Sequence, residues 1–383
     1  MLAYDEKGLT NLLVRNQAEE AEARSLITTE EKNRILTAYP DNYYSPNIFM
    51  RIGLSLVILT ATWAIGALVM LIIKPKSVVP YYLLLLSALI FILLELFIRK
   101  YHHYRSGIDD LLLYSALVFI YIALAASSLT DIKNFHLILS FSMTISGILA
   151  VLRYADRLAS LLAFLSGLFL LGAVWYKAGT IAMYTMPLLE ILLCLSAYTL
   201  ARRYRKIPAS LYYSGCLRII EISSLACLYI AGNFYFVDQW WTAQFQSALF
   251  SNPWKYSFIA YDILVPAWCL YTGFLNLDKV RIRLAVLMLA ASIVTLHYYV
   301  SIISNEGAMI IYGMLMIITA YLIIRQLKKG IKGFTNQSQE GNAAWIELEE
   351  LMLGGSFSTK RKSKENTLSN EIISTEISKL NLS

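Results

Sequence analysis

A chain of 383 residues that is 57% hydrophobic and only 15% charged, with a mean hydropathy of +0.56, is excluded from the ordinary soluble globules, where about a quarter of residues are charged. The formal charge of +7 is no argument for nucleic acid, because the basic residues gather in short loops beside apolar blocks, where membrane topology puts them. Those blocks are long enough to cross a bilayer, which takes about 20 residues per helix. The expected fold class is therefore all-α, a polytopic transmembrane helix bundle in contact with lipid.

Residues 1–47 are polar and mildly acidic. Leu9, Leu12 and Leu13 share a helical face, which predicts a first helix to about Arg24. Ser25-Leu26-Ile27 breaks it. Thr28 and Glu31 then have the S/T-x-x-E spacing of a capping box and open a second helix to about Ala38, which Pro40-Asp41-Asn42 ends. The segment reads as a cytosolic helical hairpin. The first apolar block starts near residue 48, behind this polar segment, so insertion is expected to use the first internal span rather than a cleaved leader.

The run Leu26-Ile27-Thr28-Thr29-Glu30-Glu31, followed by Ile35, Tyr39 and a first span containing Gly53, resembles a bacterial family of uncharacterised polytopic membrane proteins. In that family a cytosolic helix pair with a Leu-Ile-(Ser/Thr)-x-Glu-like turn precedes the first span. The resemblance covers roughly the first 75 residues. It implies an architecture and no chemistry.

Ten spans are expected, at 48–73, 80–98, 109–129, 135–152, 157–176, 180–201, 211–236, 256–275, 282–302 and 307–327, making 48–327 the transmembrane domain. They must be helices, because every backbone polar group in lipid has to be satisfied internally. The loops after spans two, four, six and eight hold Arg99, Lys100, Arg105, Arg153, Arg157, Arg202, Arg203, Arg205, Lys206, Lys279, Arg281 and Arg283. The alternate loops hold only Lys74, Lys76, Lys133, Lys177 and Lys255. This bias orients the chain with both termini in the cytoplasm, and the basic exit Arg325, Lys328, Lys329 and Lys332 agrees with it. Two inverted sets of five spans, the plan of many transporters, find no residue-level match between the halves.

The longest outward loop, 238–254, carries Trp240, Trp241, Phe245, Leu249, Phe250 and Trp254. Trp241, Phe245 and Leu249 recur every four residues, as in a short helix lying on the outer leaflet; a lid over an outward cavity is the alternative. The tail 328–383 is basic and mostly polar, with short amphipathic stretches at Trp345, Leu348 and Met352 and at Ile373, Ile377 and Leu380. Lys360, Arg361, Lys362 and Lys364 between them form either an anionic-lipid contact or a solvated linker.

Charges inside the membrane are costly and so are functional candidates. Glu190 lies roughly 15 Å into span six, and Arg218 and Glu221 roughly 12 and 16 Å into span seven, at 1.5 Å per residue. The three are expected to meet, either as a proton- or cation-coupling site or as a structural ion pair. Asp262 in span eight and His297 in span nine match in depth and are expected to touch, as a relay or as a satisfied polar contact. Pro187 and Pro266 loosen the same helices. Glu95, one turn from Arg99, is placed in reach of water, and Asp109 and Asp110 are attributed to the helix dipole at the start of span three. Ser142, Ser146 and Gly147, and Ser166, Gly167 and Gly172, read as small-residue packing faces.

Cys194, Cys216, Cys227 and Cys269 lie in apolar runs without a C-x-x-C, which reads as buried small hydrophobes rather than a metal site or disulfides. No metal or cofactor motif is present, and H-E-x-x-H, G-x-S-x-G and Walker A sequences are missing. Thr144-Ile145-Ser146-Gly147 lacks the first glycine of the G-x-S-G run of rhomboid proteases, and Arg51 is followed by no histidine before His102, against the Arg-then-His pattern of ten-span acyltransferases. A membrane-embedded enzyme is thus the least supported class. The leading expectation is an inner-membrane protein handling a small solute or proton, transporter-like, at a site between spans six and nine. The alternative is a membrane scaffold or sensor that binds partners through its hairpin and tail.

Overall fold

The computed structural model describes residues 2–23, 26–40, 43–72, 78–127, 134–245, 254–276 and 278–299, with isolated helical positions at 313, 314, 317 and 321. Span ten is almost wholly outside the described residues, and the tail entirely so; Lys360, Arg361, Lys362 and Lys364 fall there, as do Leu249 and Phe250. Among the described residues there are twelve α-helices and no strand. Nine of them are long and apolar enough to cross a bilayer, which makes the chain a multi-pass membrane protein. The described residues divide into two compact units: those up to 173 with 208–217, and 174–207 with those from 218 onward.

The first unit opens with α1 (Glu6–Ala23) and α2 (Thr29–Ala38). The capping box is present: the Glu31 amide donates to the Thr28 hydroxyl, and the Thr28 amide donates to the Glu31 carboxylate. Val14 and Ala18 pack on Ile35, so the two helices close on each other as a hairpin. Behind it come α3 (Ile48–Ile72), α4 (Val79–Tyr101), α5 (Ile108–Ala125), α6 (Phe135–Tyr154) and α7 (Arg157–Tyr176). Leu83, Leu86, Ile90, Leu94 and Ile98 recur at three- and four-residue steps along α4 and pack on Leu112, Leu113, Ala116 and Phe119 of α5. Small residues set the α6–α7 approach: a Cβ on Gly147 would lie 2.9 Å from that of Ala163, and Thr144 donates to Ser166 at 3.1 Å. Away from these contacts the helices show lipid-facing apolar residues such as Leu56, Val57 and Leu71 of α3.

The hairpin is tied down by the residues before it. The Ala3 amide donates to the Arg153 carbonyl at 2.8 Å, and the Tyr4 hydroxyl donates to Asp109 at 3.2 Å. Burial, with the charge of Asp109, pushes the Tyr4 hydroxyl well above its usual range, so it stays a donor. Asp109 is 2% exposed and also accepts from the amides of Arg105 and Ser106. The helix dipole is therefore not its whole role: it fastens the N-terminal segment to the α4–α5 loop. Asp110 beside it pairs with Arg51 of α3, and Glu95 holds a bidentate Arg153 as well as Arg99.

The second unit holds α8 (Thr180–Tyr204), most of α9 (Ser214–Gly232), α10 (Phe234–Phe245), α11 (Lys255–Leu275) and α12 (Lys279–Tyr299). α11 and α12 form a tight helical hairpin in which Gly273 meets Ile282, and Cys269, Ala285 and Met288 pack with Tyr198, Leu225 and Tyr229. The four cysteines are free thiols. Pro187 and Pro266 both lie inside their helices and are buried. The end of the seventh span departs from expectation. The seventh span was expected to run to 236, but α9 stops at Gly232 and α10 starts at Phe234. Tyr261 packs against the break: a Cβ at Gly232 would lie 2.4 Å from its ring, and its hydroxyl donates to the Leu228 carbonyl. The aromatic helix thus begins earlier than the sequence suggested, and its Trp241 and Phe245 rings pack 4.6 Å apart beside Tyr184.

Candidate functional site

Two buried carboxylates of the second unit define the candidate site, and their surroundings differ. Glu221, eight residues into α9, is fully buried. One of its oxygens accepts from Arg281 at 2.7 Å; the other faces Arg205 at 3.0 Å and Arg218 at 3.4 Å. Arg218 also bonds Asp278, which precedes α12 and caps it by accepting from the Arg281 amide at 3.3 Å. Burial works to raise the Asp278 carboxyl, but the hydrogen bond and charge of Arg218 and the charge of Arg281 outweigh it and hold the group below its usual range. The result is an ionic lock among the adjoining ends of α8, α9 and α12, the ends that loop charge marks as cytosolic.

Sequence reasoning counted Arg218 and Glu221 roughly 12 and 16 Å into a span that starts at residue 211. The apolar span of the structure, Ser210–Gly232, starts within one residue of that place; residues 208–213 are a 3₁₀ turn that runs into α9 at Ser214. The expected meeting of Glu190 with Arg218 and Glu221 is not made. Glu190 stands half-buried on α8, and neither oxygen of Glu221 bonds it. Arg205 and Arg281 take its place. Their sequence signal was overlooked because basic residues beside a span are expected from topology alone. Three-residue spacing within Asp278-Lys279-Val280-Arg281 was the available clue to an acid–base pair on one helical face.

The second carboxylate, Asp262 of α11, is also fully buried. Its oxygens accept from the Asn233 side-chain amide at 3.0 Å and from the Phe234 backbone amide at 3.1 Å. Asn233 is the break residue between α9 and α10, so Asp262 caps the start of α10 from a neighbouring helix. The Asn233 amide nitrogen also reaches the Tyr229 hydroxyl at 2.9 Å and Thr295 at 3.2 Å, and its oxygen accepts from the Tyr235 amide at 3.2 Å. Ser292 of α12 donates to the Asp262 carbonyl at 2.6 Å and meets Tyr229 at 2.9 Å. Among the described residues the carboxylate's hydrogen-bond partners are thus amides, with no guanidinium or ammonium. His297, expected to touch Asp262, stands half-buried on α12 while both oxygens of Asp262 are taken by Asn233 and Phe234. Depth matching failed here because it carried no information about which face of each helix a residue occupies.

Among the described residues no cluster of histidine, cysteine and carboxylate side chains is arranged to hold a metal. No protein-family model matches the sequence, and no curated protein matches it. Among solved structures the chain is similar to one in the "MycP5-free ESX-5 inner membrane complex, State II", with 16% identity and a TM-score of 0.49 over 74% of this chain and 71% of that one. At that score the likeness decides nothing about this chain.

Proposed function

We propose that this is a bacterial inner-membrane protein that moves a proton, or a small solute coupled to one, through its second unit, with Asp262 as the titrating acid. The observation that carries the reading is the Asp262 site: a fully buried carboxyl held, among the described residues, by neutral donors at a break between two helices. Discontinuous helices with polar groups at the break are a recurring way to build an ion or substrate site inside a membrane. An acid there without a counter-charge gains most from taking up a proton. Glu190, half-buried on α8, is the second acid available to such a path. Arg218 and Glu221 are assigned to the lock at the other end, and His297 stays a candidate by its place on α12.

The test is proton flux in liposomes that contain the purified protein and a dye reporting internal pH. Wild type is expected to dissipate an imposed pH gradient, and Asp262→Asn to slow this about 10-fold or more, the effect of losing a general acid or base. Wild-type flux no greater than that of empty liposomes, or full flux in Asp262→Asn, would overturn the reading.

The alternative, a membrane scaffold or sensor, is favoured by one feature of the first unit. The N-terminal segment is fastened by Ala3 and Tyr4 to the α4–α5 and α6 ends, so a partner on the hairpin would pull on those helices. Loss of the cellular phenotype on Tyr4→Phe, with liposome flux absent in wild type, would point to it.

A further inference from the structure

We infer that the cytosolic rim of the second unit is a binding site for a phosphate group, with Arg202 as the residue that faces the ligand. The argument starts from a charge count. Among the described residues, Arg202, Arg205, Arg218 and Arg281 stand at this end of the unit against the two carboxylates Glu221 and Asp278. Leaving Arg205 aside, three guanidiniums still face two carboxylates. A positive surplus in a poorly hydrated place is expensive unless an anion joins it.

The surplus is localised by the hydrogen bonds. Arg281 is 4% exposed, gives one nitrogen to Glu221, and keeps Nε and Nη1 buried without a hydrogen-bond partner, its guanidinium over the Tyr198 ring. Arg202, one turn along α8 from Tyr198, donates to the Tyr198 hydroxyl at 2.9 Å and to the Asn276 side-chain oxygen at 3.0 Å. Both partners are neutral, so among the described residues no carboxylate answers the charge of Arg202, while its plane is fixed from two sides. Arg202 is half-buried, unlike its exposed neighbour Arg203. Each of the two terminal nitrogens of Arg202 makes one of these bonds and keeps a second N–H, and a guanidinium so oriented is suited to take a phosphate in a two-point fork. The positive charge of Arg281 behind Tyr198 adds to its field.

The shared chemistry is a phosphate oxyanion. It is supplied either by the headgroup of an anionic lipid in the adjacent leaflet or by a soluble phosphate. The site is separate from the Asp262 path, so failure of either leaves the other standing.

The experiment titrates the purified full-length protein in detergent with phosphatidic acid in one arm and inorganic phosphate in the other, reading bound ligand by native mass spectrometry and thermal stability in parallel. Wild type is expected to bind saturably in at least one arm. A response to phosphatidic acid alone assigns the headgroup, and a response to inorganic phosphate assigns the soluble ion. Arg202→Gln is expected to weaken that binding about 10-fold by removing a charge-assisted fork, and Arg203→Gln, which makes the same change in net charge, to stay within about twofold because an exposed charge contributes little. Equal loss in the two variants overturns the site. So does the absence of saturable binding to wild type in both arms, a result that stands whether or not Arg202→Gln folds.

Discussion

Glu221 and Asp262 lie in the same compact unit, both fully removed from solvent, yet the chain treats them in opposite ways. Glu221 is answered by the charges of three arginines. Asp262 is answered by dipoles alone, from an asparagine amide and a backbone amide. Ion pairing fixes a carboxylate in its charged form and makes each partner depend on the others. Dipolar solvation leaves the charged and protonated forms closer in energy, which suits a group that has to change state. Burial alone therefore does not mark a functional acid in a membrane; the company it keeps does.

The comparison is broken most severely at Glu221. Glu221→Leu leaves Arg205, Arg218 and Arg281 facing one another, and removal of one partner from a buried ion pair costs about 3–5 kcal/mol. The expected result is a large fall in thermal midpoint in detergent, or loss of folded yield. Adding Arg281→Met should restore part of it, since an apolar replacement for a buried pair is often tolerated. If the single variant is as stable as wild type, the lock is not a lock.

The Asp262 side breaks more gently. Asn233→Leu removes the donor to Asp262 and the acceptor for the Tyr235 amide, leaving buried groups unsatisfied at about 1–3 kcal/mol. The expected loss is intermediate, and it should not be rescued by removing any arginine. Next in size is Asp278→Asn, which keeps the helix cap but gives up the charge bonded to Arg218, at about 1–2 kcal/mol at neutral pH. Its sign with pH is fixed by the direction of the shift. The folded-state carboxyl titrates below the usual 3.8, so its contribution is complete above that value and is lost as pH falls through the lower folded value. Thermal midpoints of wild type and Asp278→Asn should therefore differ by a constant amount from pH 7 down to about 5 and converge in more acid solution. A gap that widens on acidification would contradict the assignment.

How legible all this was depends on the kind of signal. Helix positions follow from apolar length, which is why α3, α6, α7, α11 and α12 start within about three residues of their expected places. The capping box at Thr28 and Glu31 is local chemistry, read from a spacing and present in the structure. The break at Asn233 left only Gly232-Asn233 as its trace, because the groups that meet it, the Tyr261 ring and the Asp262 carboxylate, come from another helix. The site was legible in its acids and arginines but not in their pairing. Depth along a helix can be counted from sequence, whereas azimuth about it cannot when apolar residues cover the whole circumference, as they do in lipid. Arg205 and Arg281 were read as ordinary loop charges, and Arg202 with them, because topology and site-building call for the same residue in the same place.

The smallest effect on stability is expected where the proposed function is carried. Asp262→Asn is close to isosteric. Its oxygen can still accept from Asn233 or from Phe234, while its new amide must find an acceptor in a space arranged for two donors. In an acid that carries its proton the exchange alters one hydrogen bond and no charge, so the net change in unfolding free energy is expected to be within about 1 kcal/mol. Chemical denaturation and thermal midpoints should then barely move, in contrast to Glu221→Leu, while proton flux falls. A loss as large as that at Glu221 would mean that Asp262 is charged and structural, and the distinction between the two acids would collapse. A near-silent effect on folding joined to loss of flux would separate them as a group that holds the bundle and a group that works inside it.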